Sequence, residues 1–484
     1  MTTTPAPGAA AASSGRVPLP TIFAFGMPGL PIAGLLLILA VYVPRYYVGL
    51  GVDFVAVGLA IVTVRILDIF LDPLLGLVMD RTKTPIGRYR PWLLLGAPIA
   101  MLGIYRLLVS HGAVSAQDLI VWLLVTYAGN SMLTLGIASW TAVLATSYND
   151  RSRVYGWVQG MTVIGSVGLL TLPLYTHRQV VVGKAASMPT VGWILIVALP
   201  ITIAICTLFT PERIKPTVDR PRFSPRDYWA GITRPSMLRI IVADLLLTLG
   251  AGTTAPIYVY FFKDAKGFNV GDVGLLLIFY IGAGLIGAPF WGWAAKRLGK
   301  HRTVQIACVC YAIAQTGLMA IPRVWPGYKP VDALPTAAGM FAVGFMVSAF
   351  VPLVRAMVAD VVDEVRLMTG QDLTSLLYSM VTTTTKIGVA ISVSIVFPIL
   401  KLVGYNGKEG AVNTPHAIFG LEMCYLFAPV ILVFVGGGVL FGYSLDARRH
   451  AEVRAALDEH EGRLDEAASL ESLTGPTSLS EAAT

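Results

Sequence analysis

The sequence predicts an all-α membrane protein, with twelve transmembrane helices arranged as two pseudo-symmetric six-helix bundles. Three observations carry that expectation. Hydrophobic residues fill 55% of the 484 positions and charged ones only 13%, about half the charged share of an ordinary soluble domain. Apolar runs long enough to cross a bilayer recur along the whole chain. A charged, proline-rich break from Thr210 to Pro235 parts them into two sets of six.

Water could not accommodate this composition. A single soluble core stops growing at about 250–300 residues, so runs such as Leu35–Val43 and Ile431–Val439 would have no interior to enter. Lipid accepts them. A crossing helix needs about 20 mainly apolar residues. By that ruler spans one to six fall near 20–44, 52–79, 91–109, 118–146, 153–176 and 190–210. Spans seven to twelve fall near 237–262, 271–295, 303–321, 334–361, 371–401 and 417–444. The domain plan is then an N-terminal tail 1–19, a first bundle 20–210, a linker 211–236, a second bundle 237–444 and a tail 445–484. The first tail lacks the charged start and short apolar core of a cleaved signal, so span one is expected to stay in the membrane. The Ala- and Glu-rich second tail is expected to begin as a surface helix.

Basic residues set the orientation. With the N-terminus inside, the inner segments hold more than twice as many Lys and Arg as the outer ones. Both termini are therefore expected in the cytoplasm, with the chain a multi-pass protein of the inner (cytoplasmic) membrane. The net charge of +8 follows from those flanking residues, and no aromatic-interleaved basic patch suggests a nucleic-acid partner. Cys206, Cys308, Cys310 and Cys424 lie in apolar stretches without metal-site spacing. No cofactor is expected, and the partners are the bilayer and a small-molecule substrate, bound by a monomer.

The halves echo each other. Gly76-Leu-Val-Met-Asp80-Arg81 follows span two, and Gly292-Trp-Ala-Ala-Lys296-Arg297 follows span eight. A short basic loop thus recurs at the matching place of each six-helix unit, as in carriers built from parallel repeats.

Ionisable groups inside the spans are the informative residues, since each costs roughly 2.5–3.5 kcal/mol at a helix centre. In span two, spacings of three and four residues put Arg65, Asp68 and Asp72 on one helical face. One arginine cannot balance two carboxylates, and a bound Na⁺ or a proton would supply the missing charge. The alternative is an ion-pair staple to a neighbouring helix. Span eleven carries Lys386 after Thr382-Thr383-Thr384-Thr385; its ammonium needs an anion, and Asp68 and Asp72 are the obvious ones. The threonines either add oxygen ligands or bond their own helix. Arg355 in span ten either binds an anionic substrate group or pairs with an acid. Asp244 in span seven is too short to reach the interface and needs a partner, in a substrate role or a structural ion pair. Trp140 in span four offers a face for a sugar ring, or packs. At the inner ends Asp150, Arg151 and Arg153 precede span five, and Asp360, Asp363 and Glu364 close span ten. Opposite charges placed so suggest an ionic gate; the alternative is ordinary solvated loop charge.

Arg65-x-x-Asp68-x-x-x-Asp72-Pro73-x-x-Gly76, with Gly87-Arg88-x-Arg90-Pro91-Trp92, resembles the glycoside–pentoside–hexuronide:cation symporters, the melibiose-permease-like branch of the major facilitator superfamily. Met357-Val-Ala-Asp360-Val-Val-Asp363, Ser375-Leu-Leu-Tyr-Ser379 and Lys386-x-Gly388 extend the resemblance into the second half. It implies the major facilitator fold. It makes Asp68 and Asp72 the cation carboxylates and Lys386 the coupling lysine, with Arg65 beside them. It places Arg151, Arg153, Asp360 and Asp363 in the inner gate and Trp140 beside the substrate pocket. The family's span-four threonine ligand falls at Leu133 or Thr134, and its span-five arginine at Val158 or Gln159. The family's sugar-gripping acids on spans one and four are here Pro28 or Gly29, and Gly136. The pocket so loses the charge-assisted acceptors that suit a polyol.

The expectation is therefore a cation-coupled symporter, moving a small solute by alternating access. The solute is expected to be anionic or amphipathic, with a neutral glycoside as the alternative. A rival of another class, an integral-membrane enzyme acting on lipid, finds no convincing HExxH, GxSxG or phosphate loop in its favour.

Overall fold

The structure, a computed structural model, describes residues 17–82, 84–110, 114–144, 148–172, 185–212, 233–369, 374–408, 410–445, 448–453, 455–457 and 459. Among them no strand occurs, and eleven helices are long and apolar enough to cross a membrane. In order these contain Leu19–Gly49 (span one), Phe54–Arg81 (two), Arg90–Val109 (three), Ala116–Leu144 (four) and Met188–Phe209 (six). The second half supplies Pro235–Thr254 (seven), Val270–Leu298 (eight) and Lys300–Ala320 (nine). Span ten is Leu334–Val347 with Phe350–Thr369, span eleven is Thr374–Leu402 and span twelve is Pro415–Val439. Span five is Tyr148–Leu170, whose apolar part Gly156–Leu170 is shorter than the rest. Each expected span has its helix. Boundaries differ by several residues at span seven, which ends at Thr254, and at span ten, which runs on to Thr369; span five starts at Tyr148, so residues 150–153 lie in its first turns rather than before it. Polar residues obscured that start, because periodicity alone cannot see a helix whose first turns carry no apolar face. Most of the linker and of both tails lies outside the described residues, while residues 448–453 of the second tail are helical.

Local chemistry explains the helix ends. Asp53 caps span two, its carboxylate accepting from the N–H groups of Val55 and Ala56 at 3.0 and 3.2 Å, which satisfies two donors no helix turn can reach. Pro91 and Pro189 sit in the first turns of spans three and six, where a missing N–H costs nothing. π turns occur at Ile38–Tyr42 in span one, at Tyr105–Val109 in span three and at Phe261–Ala265 between spans seven and eight.

The chain divides into two compact units. The first comprises Met1–Asp219, Ala255–Ile278 and Phe397–Gly420. Small residues let its helices approach closely, as lipid-embedded packing requires. A Cβ at Gly129 of span four would press on the backbone of Ala100 in span three, and one at Gly165 of span five on that of Leu30 in span one. The end of span six is tied to the loop before span three. There Glu212 accepts from the N–H groups of Arg88 and Tyr89 at 2.5 and 2.9 Å, and Arg90 donates to the carbonyl of Thr210 at 2.8 Å. The acid also meets the positive end of the span-three dipole. Gly87 has φ +121°, and a Cβ there would collide with the Glu212 carboxylate. That accounts for glycine opening the Gly87-Arg88-x-Arg90 motif.

Where span one ends and span two begins, the same unit gathers an aromatic knot. Phe54 stacks on Phe397 at 4.2 Å between ring centres and meets Tyr260 edge-on at 5.8 Å. Tyr260 meets Tyr405 edge-on at 5.8 Å, and the Tyr405 hydroxyl donates to Asp264 at 2.5 Å. Burial, then the charge of Asp264, pushes the Tyr405 phenol far above its ordinary range, so it stays a donor. Arg45, buried, lies 5.9 Å from the Tyr260 ring centre.

The second unit comprises Arg220–Thr254, Phe279–Val396 and Leu421–Thr484. Gly344 of span ten abuts the backbone of Tyr280 in span eight. Gly388 of span eleven would place a Cβ 3.2 Å from Thr248 and 3.3 Å from the Leu245 carbonyl of span seven. The two helices thus meet nearly backbone to backbone one turn from Asp244.

Candidate functional site

Span two delivers its carboxylates to the first unit's interior. Asp68 is 3% exposed, and the Ser131 hydroxyl of span four donates to it at 3.1 Å. Asp72, one turn on, is half-buried. Arg65 turns to span four as well, its guanidinium 4.3 Å from the centre of the Tyr127 ring, a cation–π contact that keeps a charge inside an apolar span. Thr134 spends its hydroxyl on the carbonyl of Asn130 at 2.9 Å. Ser131, one turn earlier, is the span-four hydroxyl that touches the acid. Sequence reasoning passed it over because a serine in a helix commonly bonds its own backbone. Only the neighbouring span shows otherwise.

Trp140 is fully buried, edge-on to Phe25 at 5.6 Å and with the Arg90 guanidinium 5.7 Å from its ring. Its face is occupied by packing here. Gln159 is exposed and Arg153 half-buried on span five, and the Arg151 side chain lies outside the described residues.

The second unit holds the other candidates. Asp244 of span seven is 4% exposed, and the Thr385 hydroxyl of span eleven is 2.9 Å from it. Thr382, Thr384 and Thr385 also bond their own helix, to the carbonyls of Tyr378, Met380 and Val381. Lys386 follows them, half-buried. Arg355 is exposed, and its carbonyl accepts from Tyr378 at 3.1 Å.

At the end of span ten, Asp360 is buried. Lys300 of span nine donates to it at 2.5 Å and to the Ala356 carbonyl at 3.0 Å. His450 of the tail lies 3.3 Å from Asp360 and 3.0 Å from Asp363. A cavity of about 200 Å³ beside them is lined by Lys296, Lys300, His301, Asp360, Tyr443 and His450. Burial, with the charges of Asp360 and Glu364, pushes the Tyr443 phenol upward. Neither Lys300 nor His450 stood out in the sequence, since a loop lysine and a tail histidine have no periodicity to betray them. Arg151 and Arg153 belong to the first unit, and Asp360 and Asp363 to the second.

Comparison with known proteins assigns this arrangement to a class. An isoprimeverose transporter of Lactiplantibacillus pentosus is 25% identical over 437 residues, covering 84% of this chain and 87% of that one. A glucuronide carrier protein homolog of Escherichia coli (strain K12) is 25% identical over 439 residues, covering 87% of this chain and 91% of that one. The crystal structure of the nucleoside transporter NupG, 13% identical, superposes with a TM-score of 0.65 over 88% of this chain and 100% of that one, which shows the fold alone. A family profile described as MFS/sugar transport protein matches residues 24–447. This multi-pass helical membrane protein is a transporter and not an enzyme, and it belongs to the MFS/sugar transport protein family.

Proposed function

We propose that the chain is a secondary active symporter that couples Na⁺ or H⁺ to the uptake of an anionic glycoside across the inner membrane. The supporting observation is Asp68, an acid almost wholly buried in an apolar span and met by a hydroxyl of the next helix. Asp68, Asp72 and the Ser131 oxygen form a hard-oxygen set of the kind that takes a small cation. Cation binding removes the repulsion between the two acids and frees Lys386, and the substrate tightens the cation in return. Arg355, exposed on span ten, is the residue assigned to the substrate's carboxylate, with Asp244, Trp140 and Gln159 as the other substrate-side positions. Arg151 and Arg153 with Asp360 and Asp363 are assigned to the inner gate. The missing sugar-gripping acids, at Pro28 or Gly29 and at Gly136, and the likeness to a glucuronide carrier homolog, favour an anionic over a neutral sugar. The likeness to an isoprimeverose transporter favours the second reading, a neutral glycoside.

Uptake of a radiolabelled aryl β-glucuronide into vesicles, under an imposed Na⁺ or H⁺ gradient, tests this. Asp68→Asn or Asp72→Asn should abolish accumulation while the protein stays folded. Normal gradient-driven accumulation by both variants refutes the cation site. Accumulation of isoprimeverose but not the glucuronide by the unaltered protein supports the second reading.

A further inference from the structure

Asp244 and Thr385 present a counting problem in protons. The Thr385 hydroxyl oxygen lies 2.9 Å from Asp244 Oδ2 and 2.9 Å from the Val381 carbonyl oxygen. A threonine hydroxyl has one hydrogen to donate. Were Asp244 ionised, both neighbours would be acceptors, and the single hydroxyl hydrogen would have to be shared between them, so that neither contact at 2.9 Å is a full hydrogen bond. A carboxylic acid resolves the conflict. Asp244 then donates to the Thr385 oxygen, and Thr385 donates along its own helix to Val381.

The surroundings agree. Asp244 is 4% exposed, and an ionised carboxylate so placed needs a paired cation. Span seven packs against spans ten, eleven and twelve. On span ten the charged group facing Asp244 is Arg355, and among the described residues no ion pair joins the two. On span eleven Lys386 sits one residue beyond Thr385, about 100° around the helix. Span twelve presents Leu432 and Val433 to Gly250, two turns further along span seven. On span seven itself Arg239 donates to the Gly442 carbonyl. Close approach at Gly388 fixes the spacing of the two helices, so the pair cannot simply part.

We infer that Asp244 and Thr385 form a proton-binding site in the second half of the transporter, occupied in this conformation and separate from the acids of span two. The ligand is a proton: Asp244 carries it while Arg355 stands off, and gives it up when the guanidinium closes on the carboxylate. Two titratable positions, one in each half, then mark the transport cycle. This goes beyond the cation site at Asp68 and Asp72 and does not depend on it; it gives Asp244, assigned above to the substrate side, a proton as its ligand, and Arg355 closes on it when no substrate carboxylate holds the guanidinium.

Infrared difference spectroscopy of the full-length protein in lipid, taken between mildly acidic and alkaline buffer, tests the site with protons as the only ligand. The expected result is a carboxylic-acid carbonyl band that is lost as pH rises and is missing in Asp244→Asn. The band should shift in frequency in Thr385→Val, keep its place in Thr385→Ser, and survive in the Asp68→Asn, Asp72→Asn double variant. If Asp244→Asn does not fold, the Thr385→Val shift, read on aspartate labelled with carbon-13, carries the test. Two outcomes overturn the proposal. One is a spectrum in which neither Asp244→Asn nor Thr385→Val changes any acid band. The other is an Asp244 acid band that persists at the highest pH the fold withstands, which marks a permanently neutral structural acid. Loss of the band in the double variant alone counts against its independence from span two and also overturns it.

Discussion

Ser131 decides more than its size suggests. Its hydroxyl donates to Asp68 at 3.1 Å inside an apolar environment, and a hydrogen bond to an ionised group contributes about 1.5–3 kcal/mol. Ser131→Ala therefore separates the two coupling ions. If Na⁺ is carried, the loss of an oxygen ligand should raise the Na⁺ concentration for half-maximal uptake roughly tenfold, about 1.4 kcal/mol. If a proton is carried, added Na⁺ should leave uptake by the unaltered protein and by the variant unchanged. Uptake measured against Na⁺ at fixed pH separates the two. At this scale the sequence was only half legible. Asp68 and Asp72 announced themselves because charge in an apolar run is rare. Ser131, Lys300 and Glu212 did not, because their meaning lies in what another helix sets beside them.

Helices pair here through missing side chains. Gly165 of span five leaves no room for a Cβ against the Leu30 backbone, whereas Gly168, nearly one turn away, faces open space. Gly165→Ala should destabilise the first unit by about 1–3 kcal/mol, seen as a lower melting temperature in detergent, and Gly168→Ala should leave it unchanged. The tail helix makes a second element-scale case. Its anchor is His450, held between Asp360 and Asp363, next to Arg448 and Arg449. Those arginines are already exposed; His450→Ala should release the tail helix that carries them, and limited trypsin digestion should cut there several-fold faster. The apolar runs revealed the spans because their length exceeds what any loop needs. They did not reveal where span five begins, nor that span ten is interrupted at Ser348 and Ala349, since breaks of one or two residues leave an apolar run intact.

For the whole molecule, the expectation from twelve crossings and the uneven spread of basic residues is that both ends lie in the cytoplasm. A fluorescent-protein fusion at the C-terminus should be bright and an alkaline phosphatase fusion there inactive. Phosphatase inserted at Gly51, between spans one and two, should be active. The opposite pattern reverses the orientation. The recurrence of Gly76–Arg81 at Gly292–Arg297 carries the expectation of two halves. The compact units could not be read there, because Ala255–Ile278 and Phe397–Gly420 group with Met1–Asp219, an arrangement no local pattern encodes.

The π turns at Ile38–Tyr42, Tyr105–Val109 and Phe261–Ala265 each hold one more residue than the α spiral would. Releasing that surplus residue rotates everything beyond it by about 100° without melting a helix. Arg45, just past the first of these turns, would thereby swing away from Tyr260 as a key turns in a lock, carrying the short end of span one with it and leaving the part before the turn undisturbed.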